Sequence, residues 1–241
     1  MSGDSLATPR GLVGGPLVSV LVPALHEERT LPATLDHLAT LPGNWEVVVA
    51  DGGSRDASVA VARAHPGGAR VLHAAGGRAA QCNAAARAAR GDVLLFLHAD
   101  SRLPVDAYAS LAQATRQGSA GGNFALRFDG GDRFARVLGR VYAFQRRHGL
   151  YYGDSSVWLT RAAGEHLGGF RELPIMDDYD LVRRLEALGP TRCLPGPATT
   201  SDRRWRAMGI PRTLASWWVI RWLYVAGVPA QRLAALYRVV R

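Results

Sequence analysis

Apolar runs in this chain repeatedly give way to clusters of acidic or polar residues, and that repetition constrains its fold more than any other feature. The run at 17–22 leads into His26-Glu27-Glu28, 46–50 into Asp51-Gly52-Gly53-Ser54, and 93–97 into His98-Ala99-Asp100. A fourth cluster, Asp177-Asp178-Tyr179-Asp180, follows Pro174-Ile175-Met176. Helical spacing fills the intervals: 30–41 with Thr30 placed as a cap, 54–64, the Ala-rich 78–90 and then 104–117, with a short third strand at Val71-Leu72. Strand and helix alternating in this way specify a mainly parallel sheet with crossover helices. Ligands of such sheets bind beyond the carboxyl ends of the strands, which gathers His26, Glu28, Asp51 and Asp100 onto one rim.

The second half is less regular. Its pattern predicts strands at 121–128 and 152–159 and a helix at 132–147 with Phe134, Val137, Leu138 and Val141 on its apolar face. A helix at 177–188 opens with acidic residues, as the helix dipole favours. Residues 199–206 read as an extended loop, and 211–237 as broken helix turning near Gly227 and Pro229. With 241 residues and 48% hydrophobic content, the chain can bury the core of one large α/β domain. The expected division is a flexible tail (1–16), a catalytic-sized domain (17–205) and a C-terminal helical extension packed on it (206–241).

Composition removes several classes of function. All 29 basic residues are arginine, so mechanisms built on a Schiff-base or P-loop lysine are excluded. The net charge of +9 comes without a dense basic block, which suits an anionic small substrate better than nucleic acid. Cys82 and Cys193 have neither zinc nor disulfide spacing, the first 16 residues lack the pattern of a signal peptide, and a cytoplasmic location is expected. The apolar stretch 217–228 is interrupted by Arg221 and closed by Pro229, short of the roughly 20 residues that span a bilayer. Three readings of this Trp- and Arg-rich tail stay open: packing over the site, a homo-oligomer surface, or peripheral contact with a membrane.

Each polar cluster also has a plain structural reading. Asp51-Gly52-Gly53-Ser54 is either a turn with a Ser cap or a loop where glycine lets backbone approach a ligand while Asp51 accepts hydrogen bonds from a base or ribose. Asp177-Asp178 is either a cap pair or a catalytic pair, His98 either a satisfied strand-end histidine or a ligand, and Arg78 either a surface residue or part of an anion site at a helix start. The dinucleotide fingerprint GxGxxG and the phosphate loop GxxxxGK[ST] are both absent.

Five ordered motifs, VSVLVPALHEE (18–28), VVVADGGSRD (47–56), GRAAQCNAAA (77–86), GDVLLFLHAD (91–100) and GGFRELPIMDDYDLVRRL (168–185), together resemble the family-2 glycosyltransferases. Tyr152-Gly153-Asp154 and 201–205 extend the likeness, which is greatest to the arsenosugar- and selenosugar-biosynthesis subgroup, including the selenosugar synthases of selenoneine biosynthesis. The resemblance implies a GT-A, Rossmann-like sheet and an inverting transfer from UDP-glucose or UDP-N-acetylglucosamine. It further implies that Pro23, Ala24, Glu28, Asp51, Gly52, Arg78, Asn83, His98 and Ala99 line the nucleotide-sugar site. Asp100 is implied as ligand of a Mg or Mn ion, although His98 stands where the family's DxD motif has its first Asp. Asp178, with Asp177 beside it, occupies the place of the catalytic base.

With selenophosphate as acceptor, the selenium anion needs no base, so Asp178 orients rather than deprotonates, and Arg203 and Arg204 bind the phosphate, with Arg127 or Arg161 as further candidates. The competing readings are a membrane-associated transferase to a polyprenyl phosphate or other alcohol, and a sugar-nucleotide-binding module without turnover.

Overall fold

The computed structural model describes residues 15–130 and 132–236, the side chains of Arg204 and Trp205 excepted. Its strands are β1 (Val18–Ala24), β2 (Trp45–Asp51), β3 (Arg70–His73), β4 (Val93–Phe96), β5 (Gly121–Phe128), β6 (Trp158–Thr160) and β7 (Thr191–Thr200). The helices are α1 (Leu31–Thr40), α2 (Ser58–Ala64), α3 (Arg78–Ala88), α4 (Ala107–Arg116), α5 (Arg133–Arg146), α6 (Arg161–Leu167), α7 (Asp177–Leu188), α8 (Arg203–Met208), α9 (Ile210–Val225) and α10 (Ala230–Ala234). One sheet runs in the order β3-β2-β1-β4-β6-β5-β7. β1 pairs in parallel with β2 and β4, and β6 is antiparallel to both β4 and β5. The result is the expected α/β class, a mostly parallel sheet flanked by helices with a C-terminal helical segment.

Both faces of β1 are covered, which explains its nearly unbroken apolar sequence. Val18, Val20 and Val22 pack with Leu31 and Leu35 of α1 and Leu111 of α4. Leu21 faces the opposite layer, with Ala79 and Cys82 of α3 and Leu181 and Leu185 of α7. Strand order reverses at β1, between β2 and β4, so the crevice where ligands enter such sheets opens beyond Ala24 and Phe96.

Several local expectations are corrected. The expected strand at 152–159 is a 3-10 turn at Gly153–Ser155 followed by the short β6, because Ser156 adopts a left-handed φ of 53° that interrupts extended backbone. The expected loop at 199–206 is the end of β7 and the start of α8, whose first turn is held by the Arg206–Asp202 pair. Residues 191–198 carry no expected element and include Pro195 and Pro197, yet they form most of β7, which pairs with β5 through a register shift between Phe124 and Leu126. Helix α6 escaped notice; the Thr160 hydroxyl caps it by accepting from Ala163 N. Thr30, by contrast, donates to Glu27 Oε2 and caps nothing, and α2 starts only at Ser58 because Gly53 and Ser54 are tied back to Asp51. On α5, Leu138 is buried as expected, whereas Val137 and Val141 face solvent. The turn at Gly227 and Pro229 separates α9 from α10 as anticipated. Residues 1–14 of the expected tail, with Tyr237 and Arg238, lie outside the described residues.

Candidate active site

Two guanidinium groups organise the crevice. Arg78 opens α3 directly after Gly77, whose φ of 90° suits glycine, and its Nη2 lies 2.5 Å from Asp177 Oδ1 and 3.2 Å from Asp178 Oδ1. Its Nη1 is 3.5 Å from His98 Nε2, so strand β4, helix α3 and helix α7 converge on one cation. Arg203 performs the second junction: Nη2 is 3.0 Å from Glu27 Oε1 and Nε is 3.1 Å from Asp100 Oδ2. The loop after β1 is thereby tied to the end of β4.

Asp178 is the most constrained carboxylate in the group. Gly153 N donates to its Oδ2 at 2.7 Å and Tyr179 N to its Oδ1 at 2.8 Å. Burial pushes its proton affinity up, but the Arg78 charge and the two backbone donors outweigh that and hold it below the usual carboxylate range. Asp177 moves the other way, raised chiefly by burial, and its Oδ2 is buried without a hydrogen-bond partner. His98 is driven toward the neutral imidazole by burial and by Arg78. Asp154, one residue beyond Gly153, is raised to about 7 by burial and by the charge of Asp178, while a hydrogen bond to Tyr142 opposes the shift.

Gly153 itself has no space for a side chain. An added Cβ would lie 2.7 Å from Arg78 Nη1, 3.0 Å from Asp178 Oδ2 and 3.3 Å from His98 Nε2. A small enclosed pocket continues from this point between Pro23, Cys82, Phe96 and Phe170. Three non-glycine residues with left-handed backbone, His26, Ser156 and Met176, flank the same region, a concentration of local strain of the kind found at functional sites.

The remaining sequence candidates divide between rim and scaffold. Asp51 accepts from Gly53 N and Ser54 N and sits 3.6 Å from His73 Nδ1, so its carboxylate already shapes the β2 loop. Gly52 N donates to Ala24 O, locking the ends of β1 and β2 together, and a Cβ there would strike Gln81 Nε2 at 2.8 Å. Glu28 Oε2 accepts from Ala57 N, which braces the β1 loop against α2. Asn83 is engaged elsewhere: its amide donates to Phe170 O and accepts from Phe170 N, holding the segment that leads to Asp177. Arg161 donates to the carbonyls of Ala89 and Gly91, and Arg127 to Thr199 Oγ1. Arg204 belongs to α8, but its side chain lies outside the described residues.

Sequence reasoning did not assign Glu27, Gln81, Gly153 or Asp154 to the site. Gln81 is buried and donates to both Ala24 O and Ala50 O, joining the two strand ends. The adjacency of Tyr152-Gly153-Asp154 to the family motifs was the signal available for two of the four.

Among the described residues, no group of three or more His, Cys, Asp and Glu side chains can hold a metal ion. The donor set at 98–100 is one hard carboxylate, Asp100, beside an imidazole turned toward Arg78. Those residues fit a Mg or Mn ion that brings phosphate oxygens and water as its other ligands, and do not fit one caged by protein.

A family model described as glycosyl transferase family 2 matches residues 19–165. The chain belongs to glycosyltransferase family 2. An Aeromonas hydrophila undecaprenyl-phosphate 4-deoxy-4-formamido-L-arabinose transferase is 34% identical over 112 residues, which are 42% of this chain and 34% of that protein. The family-2 fold is also shared with the mannosyltransferase PcManGT of Pyrobaculum calidifontis, solved with GDP-Man and Mn2+, at a TM-score of 0.66 and 21% identity over 93% of this chain and 69% of that one. S. aureus TarS 1-349, solved with UDP-GlcNAc, gives 0.62 and 17% over 77% and 58%. The glucosyl-3-phosphoglycerate synthase of Mycobacterium tuberculosis, solved with Mn2+, UDP and glucosyl-3-phosphoglycerate, gives 0.56 and 22% over 89% and 81%. The chain thus spans about a third of the curated relative and just over half of the TarS fragment.

Proposed function

We propose that the protein is an inverting glycosyltransferase that moves a hexosyl group from UDP-glucose or UDP-N-acetylglucosamine to an acceptor that arrives as an anion, selenophosphate first among them. The observation that carries this reading is the condition of Asp178. A carboxylate held ionised by Arg78 and two backbone N–H groups is a weak base, suited to orienting a nucleophile and poorly suited to taking a proton from an alcohol. Selenophosphate needs no such step: its selenium anion attacks the anomeric carbon, a C–Se bond forms, and the bond from C1 to the diphosphate breaks with its electron pair leaving on UDP.

Pro23, Ala24, Glu28, Asp51 and Gly52 form the nucleotide side of the rim. Arg78 lies beside the leaving diphosphate and counters its growing charge, with Ala99 as the short link between His98 and Asp100. A Mg or Mn ion held by Asp100 and the donor's phosphates would add to that neutralisation. Arg203 and Arg204 receive the acceptor's anionic group, Arg203 exchanging its carboxylate partners for phosphate oxygens.

A second acceptor has independent support. The curated relative is a transferase to undecaprenyl phosphate, and a lipid phosphate is likewise an anion that requires no base. Mass spectrometry of products separates the readings, using purified protein, both UDP-sugars, magnesium, and either selenophosphate or a short polyprenyl phosphate. A hexose carrying the selenium isotope pattern supports the first; a glycosylated lipid alone overturns it in favour of the second. UDP binding with no transfer would instead make the chain a binding module.

A further inference from the structure

Charge is distributed very unevenly along this chain. Segments 133–149 and 203–241 contain 13 arginines and no acidic residue, whereas the rest holds 16 arginines against all 20 acidic residues. The basic segments include α5 and α9, and these two helices are neighbours: Trp217 of α9 packs into the cluster formed by Phe128, Ala135 and Leu138, alongside Phe134 and Tyr142. With Arg133, Arg136 and Arg140 on α5, Arg212 and Arg221 on α9, and no acidic residue on either, two sequence-distant helices bring arginines to one flank of the fold.

The same two helices carry much of the exposed apolar surface. Val137, Val141 and Phe144 recur at helical spacing on α5, and Trp218, Trp222 and Val225 do so on α9. Phe144 is 61% exposed, Trp218 65% and Trp222 56%, with the two indole rings 5.9 Å apart. Arg133 and Arg140 are exposed on α5, Arg147 directly after it, and Arg212 at the start of α9. Among the described residues no helix is long and apolar enough to cross a membrane.

We propose that α5 and α9 form a docking face for a bilayer containing anionic lipids. Tryptophan and phenylalanine insert at the headgroup boundary while arginines meet lipid phosphates, the pattern of a helix lying in the interface. Nucleic acid would satisfy the arginines but leave the indoles and Phe144 in water. A second copy meeting the first through this same face would oppose two acid-free arginine surfaces. The bilayer satisfies both kinds of group, and the proposal stands whichever acceptor the active site uses.

Vesicle flotation tests it, with the full chain, vesicles of phosphatidylcholine alone or mixed with phosphatidylglycerol, and low and high salt. The expected result is flotation with the mixed vesicles only, reduced by salt, with tryptophan fluorescence quenched by brominated lipid. Trp218→Ala combined with Trp222→Ala lowers the partition coefficient about tenfold or more, and each of Arg140→Ala and Arg147→Ala lowers it roughly fivefold. Because all four side chains are exposed, thermal unfolding of the variants should match the parent, and UDP affinity measured on the same samples reports the donor site separately. Equal binding to both vesicle types, no binding to either, or binding insensitive to the tryptophan pair overturns the proposal. So does a dimer in light scattering that dissociates when the tryptophans are replaced.

Discussion

Gly153→Ala is the substitution that most directly asks whether Arg78, Asp178 and His98 work as one site. The glycine has no left-handed φ to preserve, so alanine brings no backbone conflict; its effect comes from the methyl group alone. That methyl would sit 2.7 Å from Arg78 Nη1 and 3.0 Å from Asp178 Oδ2, both inside the roughly 3.5 Å at which nonbonded heavy atoms rest. Relief requires the guanidinium to swing away or the 3-10 turn to retreat, which lengthens the Gly153 N to Asp178 Oδ2 hydrogen bond. Overpacking of this kind costs about 1–3 kcal/mol of stability. Displacing a reactive constellation by something near 1 Å costs on the order of 100-fold in turnover. The assay is the initial rate of UDP release with acceptor present, beside UDP affinity by calorimetry and Tm by circular dichroism. We expect kcat to fall about 100-fold while the protein remains folded at 25 °C. A folded variant with kcat within twofold of the parent would refute the assignment of this cluster to the reaction.

Other outcomes follow from the same contacts. Arg203→Ala leaves Glu27 and Asp100 without their shared cation and should weaken UDP binding by roughly 10- to 100-fold, read by calorimetry. Asp154 is raised to about 7 in the folded state, so between the ordinary carboxylate range and pH 7 the unfolded chain ionises there while the native protein does not. Stability should therefore decline as pH rises through that window, and Asp154→Asn should flatten the Tm–pH curve; an unchanged curve would contradict the shift. His98→Asp restores a second hard oxygen donor and should lower the Mn2+ concentration for half-maximal activity about tenfold, with no change counting against Asp100 as a ligand position. Asn83→Ala removes both hydrogen bonds to the Phe170 peptide and should lower stability by about 2 kcal/mol in chemical denaturation.

How far the sequence anticipated the structure depended on whether a residue's role was local. The β1–α1–β2–α2–β3–α3–β4 order was legible because compact apolar runs mark β1, β2 and β4, helical apolar spacing marks α1, and alanine-rich sequence marks α3, and α7 was bounded correctly by its acidic first turn. β7 was not legible, because Pro195 and Pro197 carry loop signals that only the bulged pairing with β5 overrides. At the candidate site, Asp177, Asp178 and Arg78 were singled out through motif likeness, but the pairing of Arg78 with Asp177 across 99 residues of chain has no signature in one sequence. Asn83 shows the converse difficulty: its place in a motif pointed to the nucleotide, while a partner 87 residues away engages its amide. Gly153 could be recognised as consequential only once its neighbours' positions were known.

Among the described residues, both guanidinium groups that organise the crevice are matched to carboxylates of the same chain, Arg78 to Asp177 and Asp178, Arg203 to Glu27 and Asp100. An incoming anion must therefore compete with these internal partners rather than settle on bare charge. A singly charged solute gains little from one such exchange; on the proposed function, the donor's diphosphate displaces the partners of Arg78 and the acceptor's phosphate those of Arg203. On the proposed function, the internal pairs act as a threshold that favours multiply charged phosphates over chloride, so that discrimination begins before any base or sugar is read.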